Sequence, residues 1–445
     1  MHRRTFLKNS TLLASSFLFP SFAMGGDIDL SGVNFSQSLY EENDAQTIVY
    51  FLYGGASELG ANLTNIDEIN KKSSNDYYDY FGTITPTANH FWKEAGGDIL
   101  ERMLAKKDVN IFRTCYSDIR EKSDNRSHGG CVEQNQLGKP EYNSAGVFSI
   151  ISKILTQNGV VTPQSKLPFI TFESNPKFFS NIDITLPSYA RPFALSSSLI
   201  NPYDDYDGDW YYRTHAEHSN DAYPSVIGEM NTLSLKNNPE GELAENFKQR
   251  ELLKDFIKSI KEDPLPDGVV YPDNSTAESI KNAINIMVKN PDTKVITAGS
   301  KGFGVWDEHG NSLFYLDRMK ELLESIEIGM QHIKSANREG KINIIVFGDF
   351  GRGVNLNDAK GWDHGNNQNV FMFGGKNHFN HVGVVGETYV HDYGRVNRQY
   401  TRPKEGSYWF EPFSIAATLY KLYGITNPEV LTGGYGAIGA GLLKN

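Results

Sequence analysis

The chain has 445 residues, 39% hydrophobic and 22% charged, with a mean hydropathy of −0.45. That is the composition of a water-soluble globular protein with a large core, and two cysteines exclude a disulfide scaffold. Lys and Arg number 43 against 54 Asp and Glu, so the net charge is −11 and the pI about 5.5. This balance argues against nucleic-acid binding, for which a basic patch is needed, and suits cation binding.

The chain opens as an export signal. Arg3-Arg4 precedes Phe6-Leu7-Lys8, an apolar stretch runs from Leu12 to Phe19, and Ser21-Phe22-Ala23 offers a small-x-small cleavage site. Residues 1–23 therefore read as a twin-arginine signal peptide, with the mature chain over 24–445 in the periplasm or outside the cell. The apolar stretch is too short to span a membrane, and no other segment is long enough. Twin-arginine export machinery is the one protein partner this implies. Cys115 and Cys131 are 16 residues apart and would meet an oxidising compartment. Both a bridge, which would brace the loop between them, and two buried thiols are open.

Apolar runs and helical periods then alternate. Strands are expected over Asp44–Tyr53, Val109–Cys115, Leu167–Phe172, Lys294–Ala298, Ile342–Phe347 and Asn369–Phe373. Helices are expected over Ile99–Lys106, Ser144–Thr156, Thr276–Lys289, Leu313–Ser335 and Phe413–Tyr423. This predicts one α/β domain with a mostly parallel central sheet and helices on both faces. A loop-rich insertion, about 174–275, interrupts the alternation. It carries one helical pattern, Glu242–Lys261, and an acidic run, Asp204–Asp209.

Sites in open α/β sheets form beyond the carboxyl ends of strands. Five clusters fall there: Gly54-Gly55-Ala56-Ser57-Glu58, Arg126-Ser127-His128, Asp307-Glu308-His309, Gly348-Asp349-Phe350-Gly351-Arg352, and Asp363-His364-Gly365. Asp and His are ligands of divalent cations, and two Asp/His sets on separate loops could hold two ions.

These motifs, with Tyr50-Phe-Leu-Tyr-Gly-Gly, occur in an order that resembles the twin-arginine-exported domain-of-unknown-function 1501 family, grouped with the alkaline phosphatase/sulfatase-like superfamily. The resemblance spans roughly residues 46–423 and implies an alkaline phosphatase-like fold. It also implies a metal-dependent hydrolase acting on a phosphate or sulfate ester of a small molecule or glycan. Asp363 and His364 would bind one cation and Asp307 and His309 a second. The ions would be Zn, Mn, Mg or Ca. Ser127 would be the nucleophile or else a helix-capping hydroxyl. His128 would be a ligand or base, and Arg352 an anion clamp or a structural ion pair. The family has Asp where this chain has Ser57, so Glu58 or Asn62 would have to substitute. His391 is the best candidate for the last histidine ligand, ahead of His381 and His378. Two alternatives stand beside this reading. One is a non-catalytic periplasmic or surface binding protein on the same fold. The other is a short-chain dehydrogenase-like oxidoreductase, for which Gly54–Gly60 would be the nucleotide loop. That reading needs a Tyr-x-x-x-Lys helix, and Tyr400 to Lys404 contains Pro403.

Overall fold

The computed structural model describes residues 27–64, 66–67, 77–173, 176–197, 199, 222–239, 241, 244–245, 256–257, 259–260, 264–300, 305–392 and 399–444. The expected signal peptide and the acidic run Asp204–Asp209 lie outside these residues, as does most of the pattern Glu242–Lys261.

In chain order the elements begin with α1 (Gln37–Asn43), β1 (Gln46–Leu52), α2 (Tyr77–Phe81), α3 (Gly97–Ala105) and β2 (Val109–Tyr116). Next come α4 (Asp118–Ser123), α5 (His128–Leu137), α6 (Val147–Gln157), β3 (Phe169–Thr171), β4 (Phe193–Ala194) and α7 (Ala222–Asn237). The second half contains α8 (Ser275–Lys289), β5 (Val295–Gly299), α9 (Phe314–Ser335), β6 (Ile342–Gly348), β7 (Arg352–Leu356), β8 (Trp362–His364) and β9 (Asn367–Gly374). It ends with β10 (Val384–Val385), β11 (Thr388–Asp392), β12 (Gln399–Pro403) and α10 (Phe413–Leu422). No helix among the described residues is long and apolar enough to cross a membrane.

Eight strands form the central sheet in the order β10-β2-β9-β6-β1-β5-β3-β4. All pairings are parallel except those of β9, which runs antiparallel to both β2 and β6. The fold is thus the expected mostly parallel α/β sheet, with one reversed strand. Strand β1 is buried along its whole length, as a strand covered on both faces must be. Its side chains alternate between two cores. Ile48, Tyr50 and Leu52 pack with α3, α8 and α9, while Val49 and Phe51 pack with α6 and α10. Helix α8 starts where Asn274 accepts the Ala277 N–H at 2.8 Å, a side-chain cap on the first turn.

Two small antiparallel ribbons, β7–β8 and β11–β12, stand apart from the main sheet. In the first, Arg352 lies opposite His364. In the second, His391 lies opposite Tyr400. The expected insertion contributes β4, which extends the sheet beside β3, and the helix α7.

Cys115 and Cys131 are both free and buried, so of the two open alternatives the structure has the two buried thiols and not the bridge. Cys115 points from β2 into an apolar core, and Cys131 lies one turn into α5 with its Sγ 3.9 Å from the Asn125 carbonyl oxygen. Burial pushes both thiols up, which favours the inert neutral form.

Candidate metal centre

Because β2 and β6 both run antiparallel to β9, β1, β2, β5 and β6 share one direction. The loops after their carboxyl ends meet. Asp349 directly follows β6, Asp307 and His309 follow β5, and His128 follows β2 as the first residue of α5. His364 arrives on β8, held beside the β5 loop by the bond from the Trp362 N–H to the Glu308 carbonyl at 2.7 Å. Gly361 permits this approach, since a Cβ there would lie 2.1 Å from the His309 carbonyl carbon.

His128, Asp307, His309 and His364 each offer a ligand atom, and these atoms lie within 4.8 Å of one another. Asp307 Oδ1 is 3.2 Å from the Nε2 of both His128 and His309. The Nε2 atoms of His309 and His364 are 2.8 Å apart. An oxygen faces the other nitrogen of each ring. Asp349 Oδ2 is 2.6 Å from His128 Nδ1, the Arg126 carbonyl oxygen is 2.6 Å from His364 Nδ1, and Asp363 Oδ1 is 3.5 Å from His309 Nδ1. The oxygens at His128 Nδ1 and His364 Nδ1 are within hydrogen-bond reach, the one at His309 Nδ1 is more distant, and the Nε2 atoms of all three rings face inward. Three imidazole nitrogens and a carboxylate oxygen this close together are a donor set that a divalent cation takes. Carbonyl or carboxylate partners behind ligating histidines are the usual support of a metal site.

The surroundings of His364 and Asp307 favour the neutral imidazole and the ionised carboxylate. Burial, with the Arg352 and His128 charges, holds His364 down to about 4, so it is neutral at physiological pH. Burial raises the Asp307 carboxyl, but the Arg352 bond and charge outweigh it and hold the group below its ordinary range. The Phe350 ring is buried and lies 4.8 Å from the His128 ring and 4.6 Å from the His364 ring, centroid to centroid. His309 is the exposed member, its side chain 45% accessible, and it marks the open side of the centre.

Several expected site residues play other parts. Arg352 is not an exposed anion clamp. It is buried and donates Nε to Gly55 O at 2.7 Å, Nη1 to Trp362 O at 3.1 Å, and Nη2 to Gly54 O, Trp306 O and Asp307 Oδ1. It ties the β1, β5 and β8 loops together and steadies Asp307. Gly55 makes room for this with a φ of +74°, and a Cβ there would lie 2.6 Å from the Phe350 carbonyl oxygen.

Glu58 does not join the ligand group. It is buried, accepts the Arg352 N–H at 3.0 Å and the Thr401 hydroxyl at 2.5 Å, and so supports Arg352 from behind. Asn62 donates its amide to the Thr388 hydroxyl at 2.6 Å and is likewise outside the ligand group. Ser57 caps the short 3-10 turn Glu58–Ala61. That turn is buried and presents no long helix N-terminus, so the dinucleotide-loop reading has no site for a pyrophosphate.

Ser127 is exposed and caps α5, accepting the Gly130 N–H at 3.3 Å. Asp363 stands beside His309 but outside the ligand group, because strand alternation turns it away from the face that carries Trp362 and His364. His391 sits on β11, with its ring 6.0 Å from Tyr389, and is also outside the group. His378 is buried against Asn343, near the amino end of β6, on the far side of the sheet from the site. Among the described residues there is one ligand group of this kind, and Asp363 and Asp349 stand at its margin. Sequence reasoning named the Gly-Asp-Phe-Gly-Arg cluster but gave Asp349 no role. Its signal was an acidic residue immediately after a fully buried strand.

No family model matches the chain, and no curated protein matches it. Among solved structures it is similar to the lipoteichoic acid synthase LtaP from Listeria monocytogenes, at 10% identity and a TM-score of 0.34, over 93% of this chain and 80% of that one. It is also similar to the alkaline phosphatase of the Antarctic bacterium TAB5, at 14% identity and a TM-score of 0.33, over 85% of this chain and 98% of that one. A third likeness is to the phosphonate monoester hydrolase SpPMH from Silicibacter pomeroyi, at 12% identity and a TM-score of 0.28, over 87% of this chain and 76% of that one.

Proposed function

We propose that this protein is an exported, metal-dependent hydrolase of phosphate or sulfate esters, as the family resemblance implies. One observation carries the metal-dependent part: three histidine Nε2 atoms and Asp307 Oδ1 converge while an oxygen faces every Nδ1. Three nitrogens and one carboxylate suit Zn²⁺ or Mn²⁺ better than Mg²⁺ or Ca²⁺, which take oxygen ligands. A bound cation would supply Lewis-acid polarisation of an ester oxygen. The chain's own residues orient and desolvate the donors, Arg352 keeps Asp307 ionised, and the exposed edge at His309 admits the substrate.

A second reading, a metal-holding binding protein without turnover, has its own support. The Ser127 hydroxyl is engaged as a helix cap, and Arg352 is engaged with backbone carbonyls and Asp307. Metal analysis of the purified protein and initial rates on p-nitrophenyl phosphate and p-nitrophenyl sulfate separate the readings. The hydrolase reading expects one equivalent of metal, turnover abolished by chelation, and loss of both metal and turnover in His309→Ala. Metal without turnover selects the binding protein, and absence of both overturns the metal centre. Export is tested by replacing Arg3 and Arg4 with lysine, which should retain the precursor in the cytoplasm.

A further inference from the structure

We propose that the surface groove at the Thr388–Pro403 end of the β11–β12 ribbon is a binding site for a neutral carbohydrate chain. The inference stands apart from the metal-centre reading and holds whether or not that centre turns over an ester.

Two segments line the groove. The first is the ribbon itself. Neighbours along a strand face opposite ways, and partners across a ladder share a face. Thr388, Val390 and Thr401 are buried, so the face on which Tyr389 lies opposite Arg402 is turned outward. The second is the turn after β12. The Glu387 N–H donates to Ser407 Oγ at 2.8 Å, the Lys404 N–H to the Glu387 carbonyl at 2.9 Å, and the Ser407 N–H to the Lys404 carbonyl at 3.0 Å. Gly406 makes the reversal with a φ of +76°. Trp409 follows on a fixed backbone. The Tyr408 carbonyl accepts the Thr114 hydroxyl at 2.6 Å, and the Phe410 N–H donates to the Thr114 carbonyl at 3.2 Å. The Trp409 ring meets the Tyr116 ring edge-on, 5.7 Å between centroids. The groove has a volume of about 310 Å³, at the lower end of the roughly 300–1,000 Å³ of small-molecule sites.

Tyr389 is 37% exposed and Trp409 43%, and both line this groove. A lone exposed aromatic is ordinary; two that line one groove, on backbone already ordered, make a stacking surface. Charge then selects the ligand. Arg402 and Lys404 line the groove beside Glu405. Arg402 Nε is 3.0 Å from Glu121 Oε2, and Lys404 Nζ is 3.0 Å from Glu387 Oε2. Two cations thus face three carboxylates. An anionic ligand would have to break these pairs against a net negative charge, and a quaternary ammonium would meet two cations beside its aromatic rings. A neutral sugar suits both parts of the lining. Its C–H faces stack on the indole and phenol rings, and each hydroxyl can donate to a carboxylate such as Glu405 and accept from an ammonium such as Lys404.

The test titrates the full chain, with and without EDTA, with neutral hexasaccharides of glucose, mannose, galactose and N-acetylglucosamine, with their sulfated forms, and with an oligoproline peptide. At least one neutral hexasaccharide should bind, equally well in EDTA, and saturation transferred from aromatic protons should reach its ring C–H protons. Trp409→Ala should weaken binding about tenfold or more without lowering the melting temperature, and Trp409→Phe should restore most of the affinity. If Trp409→Ala fails to fold, the wild-type saturation transfer and Trp409→Phe still decide. Binding of none of the neutral sugars overturns the proposal, as does affinity unchanged in Trp409→Ala, tighter binding of a sulfated form, or binding of the peptide in place of sugar. Sugar binding lost in EDTA assigns the sugar to the metal centre and also overturns it. A protein that binds sugar as expected but holds no metal refutes the metal reading alone.

Discussion

Glu58 makes the stability of this protein depend on pH in a predictable sense. Its carboxyl is 1% exposed, and burial pushes it from an ordinary 4.5 up to about 7. The Thr401 hydroxyl, the Arg352 N–H and the Arg352 charge all pull the other way and do not win. Between pH 4.5 and 7 the native state holds a proton that the unfolded chain has lost. Stability from this group is therefore complete below about 4.5, falls as pH rises, and is lost above about 7. A rise of about 2.5 pH units at 1.36 kcal/mol per unit is worth about 3 kcal/mol. Glu58→Gln mimics the neutral acid at every pH. Its amide oxygen can accept the Arg352 N–H, and its NH₂ can donate to the Thr401 hydroxyl. Urea unfolding of the metal-free proteins should give stabilities within about 1 kcal/mol at pH 5, with the variant about 3 kcal/mol more stable at pH 8. Burial also raises Glu173 to about 7 and Glu308 to about 8, but both are present in each protein and cancel in the difference. A difference that does not change with pH, or a variant less stable at pH 8, would refute the reasoning.

Two further outcomes follow from contacts already described. Arg352→Met should destabilise the protein by about 3–5 kcal/mol in urea, because it strands buried carbonyls and Asp307, and Arg352→Lys should not rescue it, since one ammonium cannot reproduce the planar fork. Native protein should resist iodoacetamide at both Cys115 and Cys131, whereas unfolded, unreduced protein should take up two labels; an unreduced mass short by two hydrogens would show a bridge instead.

Helices α3, α6, α8, α9 and α10 and strands β1, β2, β3, β5, β6 and β9 were legible because their residues carry local signals. The run Thr47–Leu52 is apolar on both faces, which only a strand covered by two layers requires. The direction of β9 was a different matter. Its apolar run predicted a strand, yet its orientation depends on the connection before it. Strand β6 ends at the carboxyl edge, and the stretch 349–366 contains only the β7–β8 ribbon and no helix. A parallel return needs a crossover of about a dozen residues or more, usually a helix. Without one the chain re-enters from the same edge and β9 must run backwards. The glycine-rich, aperiodic sequence from Gly351 to Asn366 carried that information.

The site divides along a similar line. Asp307, His309 and His364 were legible as ligand types after strands, but what holds them was not. The partner of His364 Nδ1 is a backbone carbonyl 238 residues away, which leaves no mark on residue identity. The partner of His128 is Asp349, 221 residues away, and only the fold brings them together. The Asp363-His364 pair shows how local geometry divides a motif. Two adjacent residues can ligate one ion from a loop, but Trp362–His364 is a strand, in which neighbours face opposite ways. Trp362 is buried in the core, so His364 turns toward the centre and Asp363 is left beside the outer nitrogen of His309. Asp363 thus stands to His309 as Asp349 does to His128, with a longer contact and a more exposed carboxylate. The Asp349–His128 contact is buried and short, while His309 is more loosely held at the exposed edge of the group.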